Sequence, residues 1–196
     1  IPNIMLHNDG PPNYTFSRID TGAIVTGLAP YTVGSWADYD LDGDLDFFIG
    51  SGPATNVPLP DYLYRNMKRE TGTAFFTRIT TNPIATDPGD GQNWNWIDYD
   101  NDGDLDGFRT NYGGGGSLAM RQNNLYRNDG GVYVKVTTGA IVTDQFISLA
   151  NVWGDFDNDG DLDCFVANEN AHNSYYQNNG DGTFTSILTG DLVANV

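Results

Sequence analysis

The sequence has a single cysteine, Cys164, and no long hydrophobic run. One cysteine excludes an internal disulfide and a cysteine-based zinc site. No apolar run approaches the roughly 18 residues that a transmembrane helix needs, so we expect no membrane insertion. Basic residues are also few, since 9 lysines and arginines face 26 acidic residues and leave a net charge of -17. Without a basic patch to neutralise phosphates, nucleic acid is excluded as a partner.

Glutamate is nearly missing as well, because Glu70 and Glu169 are the two glutamates and the other 24 of the 26 acidic residues are aspartate. Such a preference indicates short carboxylates placed for metal ligation or for turns. Glycine is frequent, with 24 residues, and aromatic residues make up 13% of the chain. This composition favours short strands joined by turns, and we predict an all-β fold.

A nine-residue string occurs three times, as DYDLDGDLD at 38–46, DYDNDGDLD at 98–106 and DFDNDGDLD at 155–163. The spacings are 98 − 38 = 60 and 155 − 98 = 57 residues. We call these segments the first, second and third aspartate loops. A tryptophan stands two residues before each of them, and we expect these tryptophans to pack between blades: Trp36, Trp96 and Trp153.

A second element follows each aspartate loop, reading LYRN at 63–66 and 125–128 and YYQN at 175–178. An alternating strand comes next, and a fourth copy of this element opens the chain at 5–8. Two hairpins per repeat give four strands in 57 to 60 residues, which is the size of one β-propeller blade. We therefore predict a single propeller segment over 1–196. Its predicted units are an N-terminal half-blade hairpin at 1–30 and blades at 31–90, 91–147 and 148–196.

Each aspartate loop predicts one calcium site, because alternate short carboxylates in a tight loop can converge on an ion that takes 6–8 oxygens. Side chains at positions 1, 3, 5 and 9 are the expected ligands, and position 7 is expected to ligate through its carbonyl. Glycine at position 6 permits the sharp turn. Fifteen aspartates belong to the three predicted sites: Asp38, Asp40, Asp42, Asp44 and Asp46; Asp98, Asp100, Asp102, Asp104 and Asp106; Asp155, Asp157, Asp159, Asp161 and Asp163.

An EF-hand and a magnesium site fit these strings less well. An EF-hand needs a bidentate glutamate at position 12 and flanking helices. Position 12 is Ile49, Arg109 or Val166 here, in a strand-like context. Magnesium keeps its waters and is rarely held by a cage made of protein atoms alone, so calcium is the expected ion.

The W-x-D-x-D-x-D-G-D-L-D strings at 36–46, 96–106 and 153–163, with LYRN and NNGDGTF after them, resemble the FG-GAP/VCBS repeat family. That family forms the blades of integrin α-subunit propellers, bacterial surface proteins and fungal lectins. The resemblance implies calcium in the loop between the first two strands of each blade. Family propellers usually have seven blades, so three and a half blades imply part of a larger propeller or an assembling arc.

Few residues break the repeat. Trp94 and the glycine run 113–116 are the candidates for a ligand site, and Cys164 is expected to be a buried apolar group. Asn13 lies in an Asn-Tyr-Thr triplet that permits N-glycosylation. No catalytic constellation is found, and the chain is not expected to be an enzyme.

These features predict an extracellular or cell-surface calcium-binding module with a structural or adhesive function, able to assemble into a ring or filament. A carbohydrate-binding lectin is the first alternative, and a part of a polysaccharide lyase is the second. The expected partners are other copies of the chain, further blades of a parent chain, glycans or extracellular proteins. The start at Ile1 is expected to mark a mature or internal fragment.

Overall fold

The computed structural model describes residues 3–27, 31–52, 58–113, 118–191 and 193. The first eight strands are β1 (Met5–Asn8), β2 (Phe16–Ile19), β3 (Tyr31–Ala37), β4 (Asp46–Ser51), β5 (Leu59–Pro60), β6 (Tyr62–Asn66), β7 (Phe76–Ile79) and β8 (Pro88–Gly89). The next eight are β9 (Gly91–Ile97), β10 (Asp106–Asn111), β11 (Asn124–Asn128), β12 (Tyr133–Lys135), β13 (Ile147–Gly154), β14 (Asp163–Glu169), β15 (Ser174–Asn178) and β16 (Phe184–Ile187). Single helical turns are α1 (Ala23–Thr26), α2 (Lys68–Thr71), α3 (Pro83–Thr86), α4 (Ala140–Thr143) and a 3-10 turn (Leu118–Arg121).

Twelve strands form three four-stranded antiparallel sheets, and each sheet follows chain order. We call β3-β4-β6-β7 blade 1, β9-β10-β11-β12 blade 2 and β13-β14-β15-β16 blade 3. The remaining strands form the N-terminal hairpin β1-β2 and a short pair, β5-β8. The prediction of an all-β fold with three propeller-type blades and an N-terminal half-blade is confirmed. Within the described ranges, no helix has the length and apolar character needed to cross a membrane.

The core lies between the blades, so the strands carry apolar residues on both faces. Phe48 and Leu63 of blade 1 are fully buried and form one cluster with Trp94 of blade 2. The rings of Phe48 and Trp94 stack with centroids 4.0 Å apart. Phe108 of blade 2 packs edge-to-face against Trp153 of blade 3, with centroids 5.3 Å apart. Each blade therefore depends on its neighbour for burial of its apolar surface.

The helical turns close these interfaces at the outer end of each sheet. Ile84 of α3 is completely buried in the cluster between blades 1 and 2. Ile141 of α4 holds the matching position between blades 2 and 3, and Ile24 of α1 lies between the N-terminal hairpin and blade 1. The repeated string GAIVT at 22–26 and 139–143 encodes two of these turns. Four residues are too few for helical periodicity, and this element was not predicted.

Trp94 belongs to the core, with 3% of its surface exposed, so its interpretation as a ligand platform is wrong. Gly107 provides the space for it, because a Cβ at that residue would overlap the Trp94 ring. In blade 1 the glycine and the aromatic ring stand at exchanged positions of the repeat. There Gly34 lies beside Phe47, whose ring would be 3.0 Å from an added Cβ. One large ring and one glycine therefore fill this space in either blade.

The other residues that break the repeat have different environments. Cys164 is fully buried, as predicted. The part of the glycine run at 114–116 lies outside the described residues. Asn13 is exposed between β1 and β2, and its glycosylation stays a prediction. Trp96 and Trp153 pack between blades as expected. Trp36 differs from that expectation, because it is 46% exposed and contacts Phe47 and Phe76 of its own blade.

A buried ion pair joins blades 1 and 2. The guanidinium of Arg109 in β10 bonds the carboxylate of Asp61, and both side chains are completely buried. Arg109 Nη2 also donates to Asn124 Oδ1 at 2.7 Å. Gly89 permits this position, since a Cβ there would overlap the guanidinium. Two buried opposite charges are tolerated because each has its partner and further hydrogen bonds.

Candidate metal centre

Each aspartate loop joins the first two strands of a blade, so strands flank it rather than the helices of an EF-hand. The glycines at position 6 have left-handed backbone, with φ of 94°, 93° and 99° at Gly43, Gly103 and Gly160. Position 4 is left-handed too. Asn101 and Asn158 suit that conformation, whereas Leu41 with φ 56° does not. These two turns per loop bend the chain so that alternate side chains point to one centre.

The loops bring three carboxylates together in each blade. Within each group, one oxygen per residue lies within 4.8 Å of the others. Oxygens on opposite sides of a calcium ion, each about 2.4 Å from it, are about 4.8 Å apart, so one ion fits. The three groups are Asp38, Asp40 and Asp42; Asp98, Asp100 and Asp106; Asp155, Asp157 and Asp159.

Several of these oxygens are buried without a hydrogen-bond donor. Asp38 Oδ1, Asp40 Oδ1 and Asp100 Oδ1 accept no hydrogen bond from any described residue. Burial raises the pKa of Asp40 and of Asp100, and the Asp102 and Asp98 carboxylates raise the pKa of Asp100 further. A buried acceptor without a donor is costly. A bound cation satisfies these oxygens and lowers the repulsion, so the first two loops fit a hard metal ion.

Position 1 organises the loop as well as facing the centre. Asp38 Oδ2 accepts the N–H of Gly43 at 2.9 Å. Asp98 Oδ2 accepts that of Gly103 at 3.1 Å, and the third loop repeats the bond from Gly160 to Asp155. These bonds hold the turn at the glycine of position 6 in all three loops.

Position 9 lies at the base of the loop and ties it to the third strand. Asp46 is 1% exposed, and its Oδ1 accepts the N–H of Asn66 at 2.7 Å. Asp106 accepts the N–H of Asn128 at the same distance, and Asp163 that of Asn178 at 2.8 Å. Burial raises the pKa of Asp46 and Asp106 to about 7. Asp106 is also within its convergent group, while Asp46 and Asp163 stand outside theirs.

Position 7 turns its side chain toward other partners. Asp104 Oδ2 accepts the N–H of Gly130 at 2.7 Å, and Asp44 bonds the N–H of Arg69. Asp161 Oδ1 accepts the side-chain amide of Asn101 at 2.7 Å, which links the second and third loops. These bonds agree with ligation through the position 7 carbonyl, which stays a prediction.

The asparagine that ends LYRN and YYQN has a role that the sequence did not reveal. The side-chain amides of Asn66, Asn128 and Asn178 each donate to the carbonyl of the leucine at loop position 8, at 3.2 Å. Asn178 also donates to the carbonyl of Tyr99 in the preceding blade's loop at 2.8 Å. Asn128 reaches Tyr39 in the same way at 3.4 Å. The recurrence of this asparagine after every loop was the available signal.

The residue directly before that asparagine makes a second contact that the sequence did not reveal, through Arg65 in blade 1 and Gln177 in blade 3. Arg65 Nη2 donates to Asp42 Oδ2 at 3.0 Å. Its Nε lies 2.7 Å from Asp40 Oδ2, as an ion pair without the alignment of a hydrogen bond. Gln177 places its amide on Asp157 in the third loop. The side chain that contacts the loop is therefore charged in blade 1 and neutral in blade 3.

Residues 155–194 match the family model described as the FG-GAP-like repeat. The match spans the third aspartate loop and most of blade 3, and it confirms the resemblance drawn from the strings. The chain therefore carries an FG-GAP-like repeat, and blades 1 and 2 have the same strand order and the same loop position. A comparison with curated proteins finds no match.

Proposed function

We propose that this chain is an extracellular calcium-binding β-propeller module with a structural or adhesive function. The observation that carries the proposal is the set of converging carboxylates in all three loops, with buried oxygens in the first two that lack a donor. Calcium is the favoured ion because every offered ligand is an oxygen, and magnesium keeps its waters and is rarely held by a cage made of protein atoms alone. Extracellular calcium, at millimolar concentration, saturates sites that are weak by intracellular standards.

The loops support a structural role because they belong to the interfaces between blades. Tyr39, at position 2 of the first loop, stacks against Trp96 of blade 2 with centroids 6.0 Å apart. Tyr99, in the second loop, packs on Phe184 of blade 3 at 5.7 Å. An ion that orders a loop therefore also fixes the aromatic residue that the loop places against the next blade. Carboxylates held in such sites are poor acids and bases, so we propose no catalysis.

Blade 3 has a face that suits a further blade. Phe165 corresponds to Phe48 and Phe108, which are completely buried, but Phe165 is partly exposed, and Val152 beside it is 54% exposed. We propose that another blade covers this face, supplied by a parent chain or by a second copy in a ring or filament. Sedimentation velocity in millimolar calcium separates these two sources. A chain that stays monomeric at every protein concentration would contradict assembly with a second copy.

Isothermal titration calorimetry of the whole chain with calcium tests the proposed ion binding. Asp100→Ala is expected to weaken the second site by about tenfold or more, equivalent to roughly 1.4 kcal/mol, because it removes an oxygen aimed at the ion. Asp104→Ala is the matched control with the same change of charge. It is expected to lose less, since that side chain bonds the N–H of Gly130. Equal losses of calcium affinity in the two variants would contradict the ligand assignment. Titrations in which the chain releases or absorbs no heat would contradict calcium binding itself.

A further inference from the structure

The same position of the repeat holds a different group beside each aspartate loop. Arg65 in β6 contacts the first loop, Arg127 in β11 is its counterpart in blade 2, and Gln177 in β15 is the counterpart in blade 3. The two arginines are not expected ligands, because arginine has no acceptor atom, and Gln177 directs the nitrogen of its amide at Asp157. They decide instead how much positive charge the ion meets.

Arg65 is turned into the first loop. Its guanidinium contacts Oδ2 of Asp40 and Oδ2 of Asp42, while Asp40 Oδ1 stays without a donor. Glu70 of α2 contacts the same guanidinium at Nη2, the nitrogen that also contacts Asp42, with Nη2 and Oε1 2.5 Å apart. Part of the loop's negative charge is therefore neutralised by the protein itself.

Arg127 is turned away from the second loop. Asp129, in the turn after β11, holds it with two hydrogen bonds of 2.8 and 2.9 Å. Blade 1 has Met67 at the position of Asp129, so Arg65 has no such alternative partner there. Gln177 meets the third loop with a neutral amide. Of the three loops, the first has the closest full positive charge.

The backbone at position 4 also makes the first loop less favourable than the other two loops. Leu41 has φ 56° at position 4 of the first loop, where the other loops have asparagine. Leucine is disfavoured in left-handed backbone, whereas asparagine tolerates it. Asn101 also donates to Asp161 of the next loop, and Leu41 has no group that could make the equivalent bond.

We propose that Arg65 is an internal counter-ion that makes the first loop the weakest calcium site, so that this site fills last and empties first. The inference rests on the proposed calcium binding. Arg65 compensates Asp40 and Asp42 when no ion is bound, which keeps the loop folded at low calcium. When calcium binds, the nearby positive charge repels it. The three sites therefore respond to different calcium concentrations.

Calorimetric titration of the whole chain with calcium is expected to show two tighter binding events and one weaker event. Arg65→Gln, which gives blade 1 the residue of blade 3, is expected to tighten the weaker event by about tenfold or more, because removing one charge near a divalent ion has an effect of that order. Asp40→Asn assigns the event to the first loop, since it should remove the weaker event alone.

Two matched variants lose the same charge elsewhere. Arg78→Gln removes an arginine of blade 1 that lies over the Tyr62 ring, and Arg127→Gln removes the one held by Asp129. Both are expected to change the affinities by less than about threefold, which is about half of the free-energy change that a tenfold difference represents. Three equal sites that Arg65→Gln leaves unchanged, or a weaker event that it weakens further, would overturn this inference while calcium binding stands. No binding to wild type or variants would overturn the proposed function.

Discussion

Removal of calcium with excess EGTA is expected to lower the melting temperature of the chain by about 10 to 20 °C, from roughly 2–4 °C per kcal/mol. With a dissociation constant of about 0.1 mM, ~2 mM calcium stabilises by roughly 1.8 kcal/mol per site, on the order of 5 kcal/mol for three sites. The physical reason is repulsion among five aspartates in nine residues, relieved by the ion. Thermal unfolding followed by circular dichroism measures the change.

Restored calcium is the control and should return the melting temperature to its starting value. Magnesium at the same concentration should restore less, because it dehydrates reluctantly and prefers octahedral sites. A chain in which Asp100 is replaced by alanine should lose part of its response to EGTA. A melting curve that is identical with and without chelator contradicts a structural role for the metal.

Asp61→Asn is expected to destabilise the chain by about 3–5 kcal/mol, since it leaves the Arg109 guanidinium buried without its counter-charge. Asparagine keeps the other role of this residue. Asp61 Oδ1 accepts the N–H of Ser51 at 2.8 Å, and Asn123 and Asn173 make the equivalent bonds in blades 2 and 3 at 3.0 and 3.1 Å. Urea denaturation in saturating calcium measures the change in the free energy of unfolding.

The double variant Asp61→Asn, Arg109→Val gives blade 2 the valine found at the same position of blade 3, Val166. It should recover much of the lost stability, because no charge is left unpaired. Asp20→Asn is the exposed control. Its partner Arg18 is 56% exposed, and the expected change is within about 0.5 kcal/mol. A loss below about 1 kcal/mol for Asp61→Asn would contradict the importance of the buried pair.

The sequence predicted those parts of the fold that repeat. Three copies of the aspartate string and four copies of the LYRN-type element determine the number of blades, because each copy occupies the same place in its sheet. The convergence of Asp38, Asp40 and Asp42 follows from alternate spacing around a glycine turn. Periodic patterns are local, and local patterns can be read without knowledge of tertiary contacts.

Features that depend on distant contacts were not predictable. Asp61 and Arg109 are 48 residues apart, and neither position carries a charge of that sign in the other blades. Trp94 looked exceptional because its counterparts are Gly34 and Asn151, and its true partner, Gly107, is visible only once β9 and β10 are paired. The arginine beside the first loop was visible in the alignment of the repeats, but its orientation depends on Glu70 and Met67 outside the motif.

The exchanged positions of glycine and aromatic ring in blades 1 and 2 restrict how this gene can recombine with itself. The first two aspartate strings differ only at position 4, so they offer a matched segment for an unequal crossover, and they lie between residues 34 and 47 or 94 and 107. One product would pair Trp94 with Phe47 in space for a single ring, at a cost of about 1–3 kcal/mol or more. The other would pair Gly34 with Gly107 and leave a cavity where a ring had been, which costs about 3–5 kcal/mol. Exchange of whole blades therefore preserves this packing, whereas a hybrid blade joined at the aspartate loop is expected to be less stable.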